Sequence, residues 1–334
     1  MKVIRGLKHL KRPSRGSCVA IGVFDGVHIG HQKIIKAVVQ AAREKGLASI
    51  VLTFDPHPSR ILRPDSKTPS LISLDHRIKL IEKLGADILI VLKFTKAFAS
   101  MPAEKFVKNI LINKLGAREI VVGENFYFGR GGGSGARALT SLRASPEGER
   151  SNLKKRLLRR PFRPIRNDGR LQVNVIEPVK IAGSIVSSSR IRKLIIEGIL
   201  REAEILLGRP VSVLGTVVSG ARIGRCLGYP TANINPHHEV IPPSGVYAVK
   251  AGIDGRLYGG VLNIGTKPTF YAPRDMEPAI EVNIFGFNKH IYGRDIEVRF
   301  VKKLRDEIRF RKIEDLVAQI RKDTALARKI LKGV

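Results

Sequence analysis

The feature that most constrains this chain is a change of hydrophobic pattern near residue 208. Before it, short apolar runs alternate with helical patterns: a run at 18–24, a helix at 32–45, a run at 48–54, a helix at 75–84, a run at 87–94, a helix at 103–114 and runs at 119–122 and 172–176. After it, runs rich in Val, Ile, Tyr and Gly follow one another at turn spacing, at 211–219, 246–253, 257–264, 280–285 and 295–304. The first pattern calls for a parallel sheet covered by helices, the second for a sheet closed on itself. A length of 334 residues also exceeds the ~100–150 residues of a typical domain. We therefore expect an α/β N-terminal domain, a doubly wound parallel sheet, over residues 1–188, and a small β-barrel over 208–334 that ends in a helix at 313–331. A linker helix over 189–207 would join them.

Composition narrows the partners. Sixty Lys and Arg against 29 Asp and Glu give a net charge of +31, which points to a polyanion or to several sites for phosphorylated substrates. A nucleic-acid-binding protein is one such reading, but an aromatic content of 6%, no Trp and no recognised binding module argue against it. Part of the charge lies in residues 131–170, where Gly-Gly-Gly-Ser-Gly leads into a stretch, 150–170, with nine basic residues against one acid, Asp168, a net +8. Such a run reads as a mobile surface segment. Cys18 and Cys226 are far apart and fall in different domains, which suggests no disulfide framework and fits a reducing cytoplasm. No apolar run reaches the ~18 residues of a membrane span, and the N-terminus does not resemble a secretory signal.

In a parallel sheet, ligands bind beyond the carboxyl ends of the strands. Three motifs fall there: Gly-Val-Phe-Asp-Gly at 22–26, Thr-Phe-Asp-Pro-His-Pro at 53–58 and Gly-Glu-Asn-Phe at 123–126. The stretch from Gly22 to His31 runs from a strand into a helix start, where free N–H groups and the helix dipole attract phosphate. Gly30 would let the backbone approach an anion. His28 and His31, three apart, share one side of the first turn and can both donate to phosphate oxygens, although surface or metal-binding histidines have the same spacing. At Val186-Ser-Ser-Ser-Arg-Ile-Arg192, hydroxyls precede a helix and Arg190 and Arg192 follow in its first turn, a pattern suited either to phosphate or to plain N-capping with solvated arginines. In the second half, a glycine loop containing Gly220, Arg222 and Arg225 leads to a Tyr-Pro turn that presents Thr231 and Asn233. Backbone amides of such a loop can wrap a polyphosphate, and hydroxyl and amide oxygens suit Mg²⁺. A structural β-turn would look similar, and Gly-Lys-Ser/Thr is absent.

His28-x-Gly30-His31 followed by Ser-Ser-Ser-Arg-x-Arg resembles the nucleotidylyltransferase superfamily. Phe24-Asp-Gly-Val-His, Phe54-Asp-Pro-His-Pro and Gly123-Glu-Asn-Phe-x-Phe-Gly narrow the resemblance to bacterial bifunctional riboflavin kinase/FMN adenylyltransferases. In the second half Gly-Arg-x-Leu-Gly-Tyr-Pro-Thr-Ala-Asn at 224–233, Pro243-Ser-Gly-Val-Tyr, Asn263-Ile-Gly-Thr-Lys-Pro-Thr, Glu281-Val-Asn-Ile-Phe and Leu304-Arg-Asp-Glu-x-x-Phe are similar to riboflavin kinase, in the family's order. The resemblance spans residues 15–130 and 172–325.

It implies phosphorylation of riboflavin by ATP, and attack of an FMN phosphate oxygen on the α-phosphate of ATP to give FAD, without a covalent enzyme intermediate. Riboflavin, FMN, FAD and ATP would be the partners, with Mg²⁺ at both sites; no oligomeric state is implied. Carried over by motif, His28 and His31 hold ATP phosphates with Gly22 and Gly30, and Ser187, Ser188, Arg190 and Arg192 stabilise the triphosphate. Asp55, Pro56, Pro58, Asn125 and Phe128 border the flavin. In the kinase half Gly220 and Arg225 belong to the ATP loop, Thr231 and Asn233 bind MgATP, and Glu281 is the general base on the ribityl 5′-hydroxyl. A lone Glu in a strand usually faces solvent, but one at a barrel-strand end beside a phosphate loop fits that task. Arg305 and Glu307 fall to a flavin lid. Ser189 stands where the family commonly has Thr, and Asn125 where it often has an acid. The basic stretch also lengthens the path from 135 to 173, which motivates an alternative, a kinase whose N-terminal domain has lost adenylyl transfer.

Overall fold

A computed structural model of the chain describes residues 1–8, 10–65, 69–128, 134–135, 171–220, 224, 227–237, 239–266 and 278–333. The chain forms two compact units, Met1–Thr68 with Arg77–Ile185, and Pro69–His76 with Val186–Val334. The basic segment expected to be mobile lies outside the described residues except for Ser134–Gly135, and so does Arg225.

The first unit is built on a six-stranded sheet in the order β1-β4-β3-β2-β5-β8, parallel throughout. Its strands are β1 (Lys2–Arg5), β2 (Ser17–Ile21), β3 (Ala48–Asp55), β4 (Ile88–Lys93), β5 (Ala117–Gly123) and β8 (Gln172–Ile176), with a small β6–β7 ribbon (Tyr127–Phe128, Ser134–Gly135) between the last two. All five residues of β2 are buried, as a central strand covered on both faces requires. Helix α1 (Ile29–Lys45) presents Ile34, Ile35, Val38 and Ala42 to the interior and ends at Gly46, whose φ of 63° is left-handed. Short helices α2 (Pro58–Leu62), α3 (Leu74–Glu82), α4 (Lys96–Ala99) and α5 (Ala103–Lys105) follow. The helix read over 103–114 is π-wound from Phe106 to Lys114, a winding that buries Phe106, Val107, Ile110 and Leu111. These residues join Val19, Leu52, Phe54 and Ile120 in the core. Strand β1, whose four residues include two exposed basic ones, was not evident in the sequence; it pairs with β4 at the sheet edge. A hairpin of β9 (Lys180–Ile181) and β10 (Ser184–Ile185) closes the unit.

The second unit opens with two helices where one linker helix was expected. Gly198, at φ 77°, separates α6 (Ser188–Ile196) from α7 (Leu200–Leu207), and the Ile199 N–H closes onto the Leu194 carbonyl at 2.8 Å. A closed barrel follows in the order β11-β12-β15-β14-β13-β16. Five of its strands lie where the sequence placed them: β11 (Ser212–Val218), β13 (Gly245–Ile253), β14 (Arg256–Thr266), β15 (Pro278–Ile284) and β16 (Asp295–Arg305). The sixth, β12 (Ala232–Asn235), begins within the Tyr-Pro-Thr-Ala-Asn motif at 229–233, which reads as a turn. The terminal helix α8 (Ile313–Lys332) packs on β13, β14 and β16.

A buried charge network holds this unit together. Glu239 is fully buried and accepts from the Ser73 N–H (2.8 Å), the Ser73 hydroxyl (2.6 Å), the Leu214 N–H (3.0 Å) and His76 Nδ1 (3.1 Å). His76 Nε2 faces Glu297 at 3.7 Å, and Arg299 donates to the same carboxylate at 2.9 Å. Burial would lower the His76 pKa, but its bonds to Glu239 and Glu297 outweigh this and hold it above 6.5. Burial would likewise raise Glu297, yet His76 and Arg299 hold it well below its usual 4.5. A raised histidine stabilises the fold fully below its ordinary pKa and loses that contribution as pH rises through the raised value. A depressed carboxylate contributes above its ordinary pKa and loses it as pH falls. The unit should therefore be most stable between 4.5 and 6.5 as far as this pair decides it. Replacing His76 with Leu leaves Glu239 buried without its cation and should cost about 3–5 kcal/mol. Urea melts of the full chain should show that loss, and H76L should lose the alkaline fall in barrel stability seen in the unsubstituted chain.

Candidate active sites

Because β3, β2 and β5 are adjacent and parallel, the loops after them emerge at one sheet edge. The order reverses there, since β3 and β4 lie on one side of β2 and β5 on the other, and such a switch point opens a crevice for ligands. The loop after β2 is strained: Phe24 (φ 52°), Gly26 (φ 85°) and Val27 (φ 39°) are left-handed. A branched residue such as Val costs about 1–3 kcal/mol in that conformation and persists only where its surroundings hold it. Phe24 and Val27 are buried, and Gln32 Nε2 donates to the Val27 carbonyl at 2.9 Å.

His28 then caps α1, its Nδ1 accepting the His31 N–H at 3.3 Å. That bond leaves Nε2 of a neutral His28 as its proton-bearing nitrogen. The His28 and His31 rings stack at 3.6 Å and 18°, and the Phe24 ring meets His31 edge-on at 5.4 Å. Gly30 permits this stack, since a Cβ there would lie 3.2 Å from His28 Cε1; one at Gly22 would lie 2.9 Å from the Phe24 ring. The Asp55–Pro56 peptide after β3 is cis, Pro58 begins α2, and Asn125 is exposed in the turn after β5. The backbone of Phe128 is on β6, while its side chain lies outside the described residues. The sequence reading missed Arg77, a fully buried cation beneath these loops. A charge on the stripe shared with the buried Leu80 and Ile81 was the available signal.

The Ser187–Arg192 motif forms the N-terminus of α6. Ser187 Oγ caps it by accepting the Arg190 N–H at 3.3 Å, and Arg192 Nε donates to the Pro69 carbonyl at 2.8 Å. Arg190 Nη1 is buried and has no hydrogen-bond partner among the described residues.

In the barrel, strand register does what sequence spacing could not show. Asn233 on β12 pairs with Glu281 on β15, and Glu281 pairs in turn with Asn263 on β14, so three polar side chains cross three neighbouring strands in one row. Two glycines ahead of β12 lie against this row: a Cβ at Gly220 would lie 2.1 Å from Asn233 Nδ2, and one at Gly224 3.0 Å from Thr231 Oγ1. A cavity of about 280 Å³ opens beside it, with Thr231, Asn263, Glu281, Asn283, Arg305 and Glu307 among its lining. A Cβ at Gly265 would sit 2.7 Å from Glu307 Oε1 and 3.3 Å from Asn263 Nδ2, so those two groups flank one point of β14.

The terminal helix supplies the opposite wall with Leu316, Ile320 and Asp323. Asp323 clamps Arg305 at 3.0 Å to Nε and 2.9 Å to Nη2, and Gln319 Nε2 donates to it at 2.9 Å. Asp323 was not singled out in the sequence, although an acid in the stripe of Leu316, Ile320 and Ala327 marks a buried partner. The oxygens of Thr231, Asn233 and Glu281 are hard donors of the kind that suits Mg²⁺.

Residues 10–156 match the family model of FAD synthetase and residues 207–331 that of riboflavin kinase. The bifunctional riboflavin kinase/FMN adenylyltransferase of Bacillus subtilis (strain 168) is 38% identical over 316 residues, 94% of this chain and 92% of that protein. The protein of the same name from Escherichia coli (strain K12) is 32% identical over 330 residues, 98% and 97% of the two chains. A crystal structure described as a macrolide-efflux protein from Streptococcus pneumoniae shares the fold with a TM-score of 0.79 and 30% identity, over 98% of this chain and 99% of that one. No helix among the described residues is long and apolar enough to cross a membrane. With both halves matched in order and relatives aligned nearly end to end, the chain belongs to the bifunctional riboflavin kinase/FMN adenylyltransferase family.

Proposed function

We propose that the barrel phosphorylates riboflavin to FMN and that the sheet unit transfers AMP from ATP to FMN, giving FAD. The observation that carries the proposal is the row of Asn233, Glu281 and Asn263 beside a cavity whose other wall is largely apolar, a shape suited to a flavin ring with its polar chain directed at a base. Glu281 takes the proton of the ribityl 5′-hydroxyl as that oxygen attacks the γ-phosphate and ADP leaves. Thr231 and Asn233 would hold Mg²⁺, which when bound offsets phosphate charge. Gly220 and Arg225 belong to the ATP loop, and Arg305 and Glu307 border the flavin.

In the sheet unit an FMN phosphate oxygen attacks the α-phosphate of ATP and pyrophosphate leaves, so the protein's task is positioning and charge stabilisation. His28 and His31 donate to ATP phosphates, with Gly22 and Gly30 allowing close approach; Asp55, Pro56, Pro58, Asn125 and Phe128 border the flavin. The proposal also assigns triphosphate charge to Ser187, Ser188, Arg190 and Arg192, and the buried Nη1 of Arg190 supports an anion there. Domain limits at 188 and 208 and a cytoplasmic location, where ATP is available, belong to the same proposal. The match of residues 10–156 to FAD synthetase weighs against a kinase-only protein.

Incubation of the purified chain with riboflavin and MgATP, followed by separation of the flavins, should yield FMN and then FAD; FMN alone would remove the adenylyltransferase half. Glu281→Gln should slow FMN formation by roughly 10²-fold or more while supplied FMN is still converted to FAD. His31→Ala should do the reverse, weakening FAD formation by about 1–3 kcal/mol and sparing FMN formation. Gly220→Ala should displace Asn233 and raise the KM for MgATP in the kinase reaction alone. Unchanged kinetics in that variant would detach Asn233 from nucleotide binding.

A further inference from the structure

We infer that Arg77 is a positioning residue for adenylyl transfer, holding closed the strained turn that presents His28 and His31. The inference rests on the reaction proposed for the sheet unit. Arg77 is 2% exposed, and its Nη1 donates to Thr53 Oγ1 at 3.2 Å and to the Phe54 carbonyl at 3.0 Å. Thr53 Oγ1 in turn donates to the Val23 carbonyl at 2.9 Å. The relay runs from α3 across the end of β3 to the first residues of the turn after β2, and it ends one residue before Phe24.

That turn needs a tether. Two of its side-chain-bearing residues, Phe24 and Val27, sit in backbone conformations that the chain would leave if released, and His28 follows directly. The charges point the same way. Burial pushes the Arg77 guanidinium below its usual range, and the carboxylates of Asp25, in the turn, and Asp55, at the end of β3, work against that shift. Asp25 is itself 2% exposed. One buried cation thus compensates the buried carboxylate of Asp25 and the half-buried one of Asp55, and without it Asp25 would remain in a poorly solvating interior with a second acid near by. Arg77 need not touch substrate to act; it fixes where the stacked histidines stand relative to the loop at Asp55–Pro58.

The test uses full-length Arg77→Met, Arg77→Lys and Thr53→Val, with both reactions and the urea midpoint measured on each. Arg77→Met should lower kcat/KM for ATP in FAD formation by roughly 10- to 100-fold, the scale of misplaced reacting groups, with FMN formation unchanged. Arg77→Lys, which keeps the charge, should recover part of the loss. Thr53→Val removes only the hydroxyl relay, keeps the buried charge and shape, and should show a smaller loss in the same reaction; it carries the test if Arg77→Met does not fold. A fallen urea midpoint with ATP kinetics like those of the unsubstituted chain, in Arg77→Met or in Thr53→Val, would make the cation purely structural and overturn the inference. An unsubstituted chain that forms no FAD would instead count against the proposed reaction.

Discussion

The parallel pairing of β2 between β3 and β5 is the constraint on which the sheet unit depends. Five consecutive buried residues, Ser17 to Ile21, can be covered only by neighbours on both edges and helices on both faces. Once all three strands run the same way, the loops at 22–28, 55–58 and 124–126 emerge together without any specific attraction between them. The chemistry then needs only local adjustments: a left-handed turn at Phe24–Val27, a histidine in place of the usual hydroxyl at the cap of α1, and a glycine where a ring must stack.

The barrel reaches its site by another route. Its polar row exists because β12, a strand of only four residues, closes the barrel between β11 and β15. A slip of one residue in that pairing would turn Asn233 to the opposite face and part it from Glu281. Gly220 and Gly224 restrict this freedom, because both lie against the row: a Cβ at Gly220 would press on the Asn233 amide, and one at Gly224 on the Tyr229 carbonyl and Thr231.

The sequence made legible whatever depends on periodicity or on residue type at fixed spacing: the alternation of the first half, five of six barrel strands, and His28 and His31 on one turn at the start of a helix; Glu281 was singled out only through the family resemblance. What it hid depends on pairing or burial. Strand β12 has too few residues to show alternation, and the Tyr-Pro-Thr that leads into it reads as a turn. The split at Gly198 needed the backbone angle of one residue, since helical spacing continues on both sides. Arg77, His76 and Asp323 were passed over because a charged residue on a helix reads as solvated by default. Each instead lies on an apolar stripe, and each is buried against partners remote in sequence, Thr53, Glu239 and Arg305.

Net charge is a poor guide to the barrel cavity. The chain carries +31, yet among the described lining residues the carboxylates of Glu281, Glu307 and Asp323 outnumber the single guanidinium of Arg305, which Asp323 already engages in a forked ion pair. Carboxylates so placed repel a bare polyphosphate, and a bound divalent cation would offset that repulsion. It also distinguishes the flavins. On the proposed assignment riboflavin, being neutral, meets no Coulomb penalty beside these acids, whereas FMN carries a phosphate dianion that they repel. On that assignment the acids would favour departure of the product, because among the described lining residues three carboxylates surround one guanidinium that is already engaged.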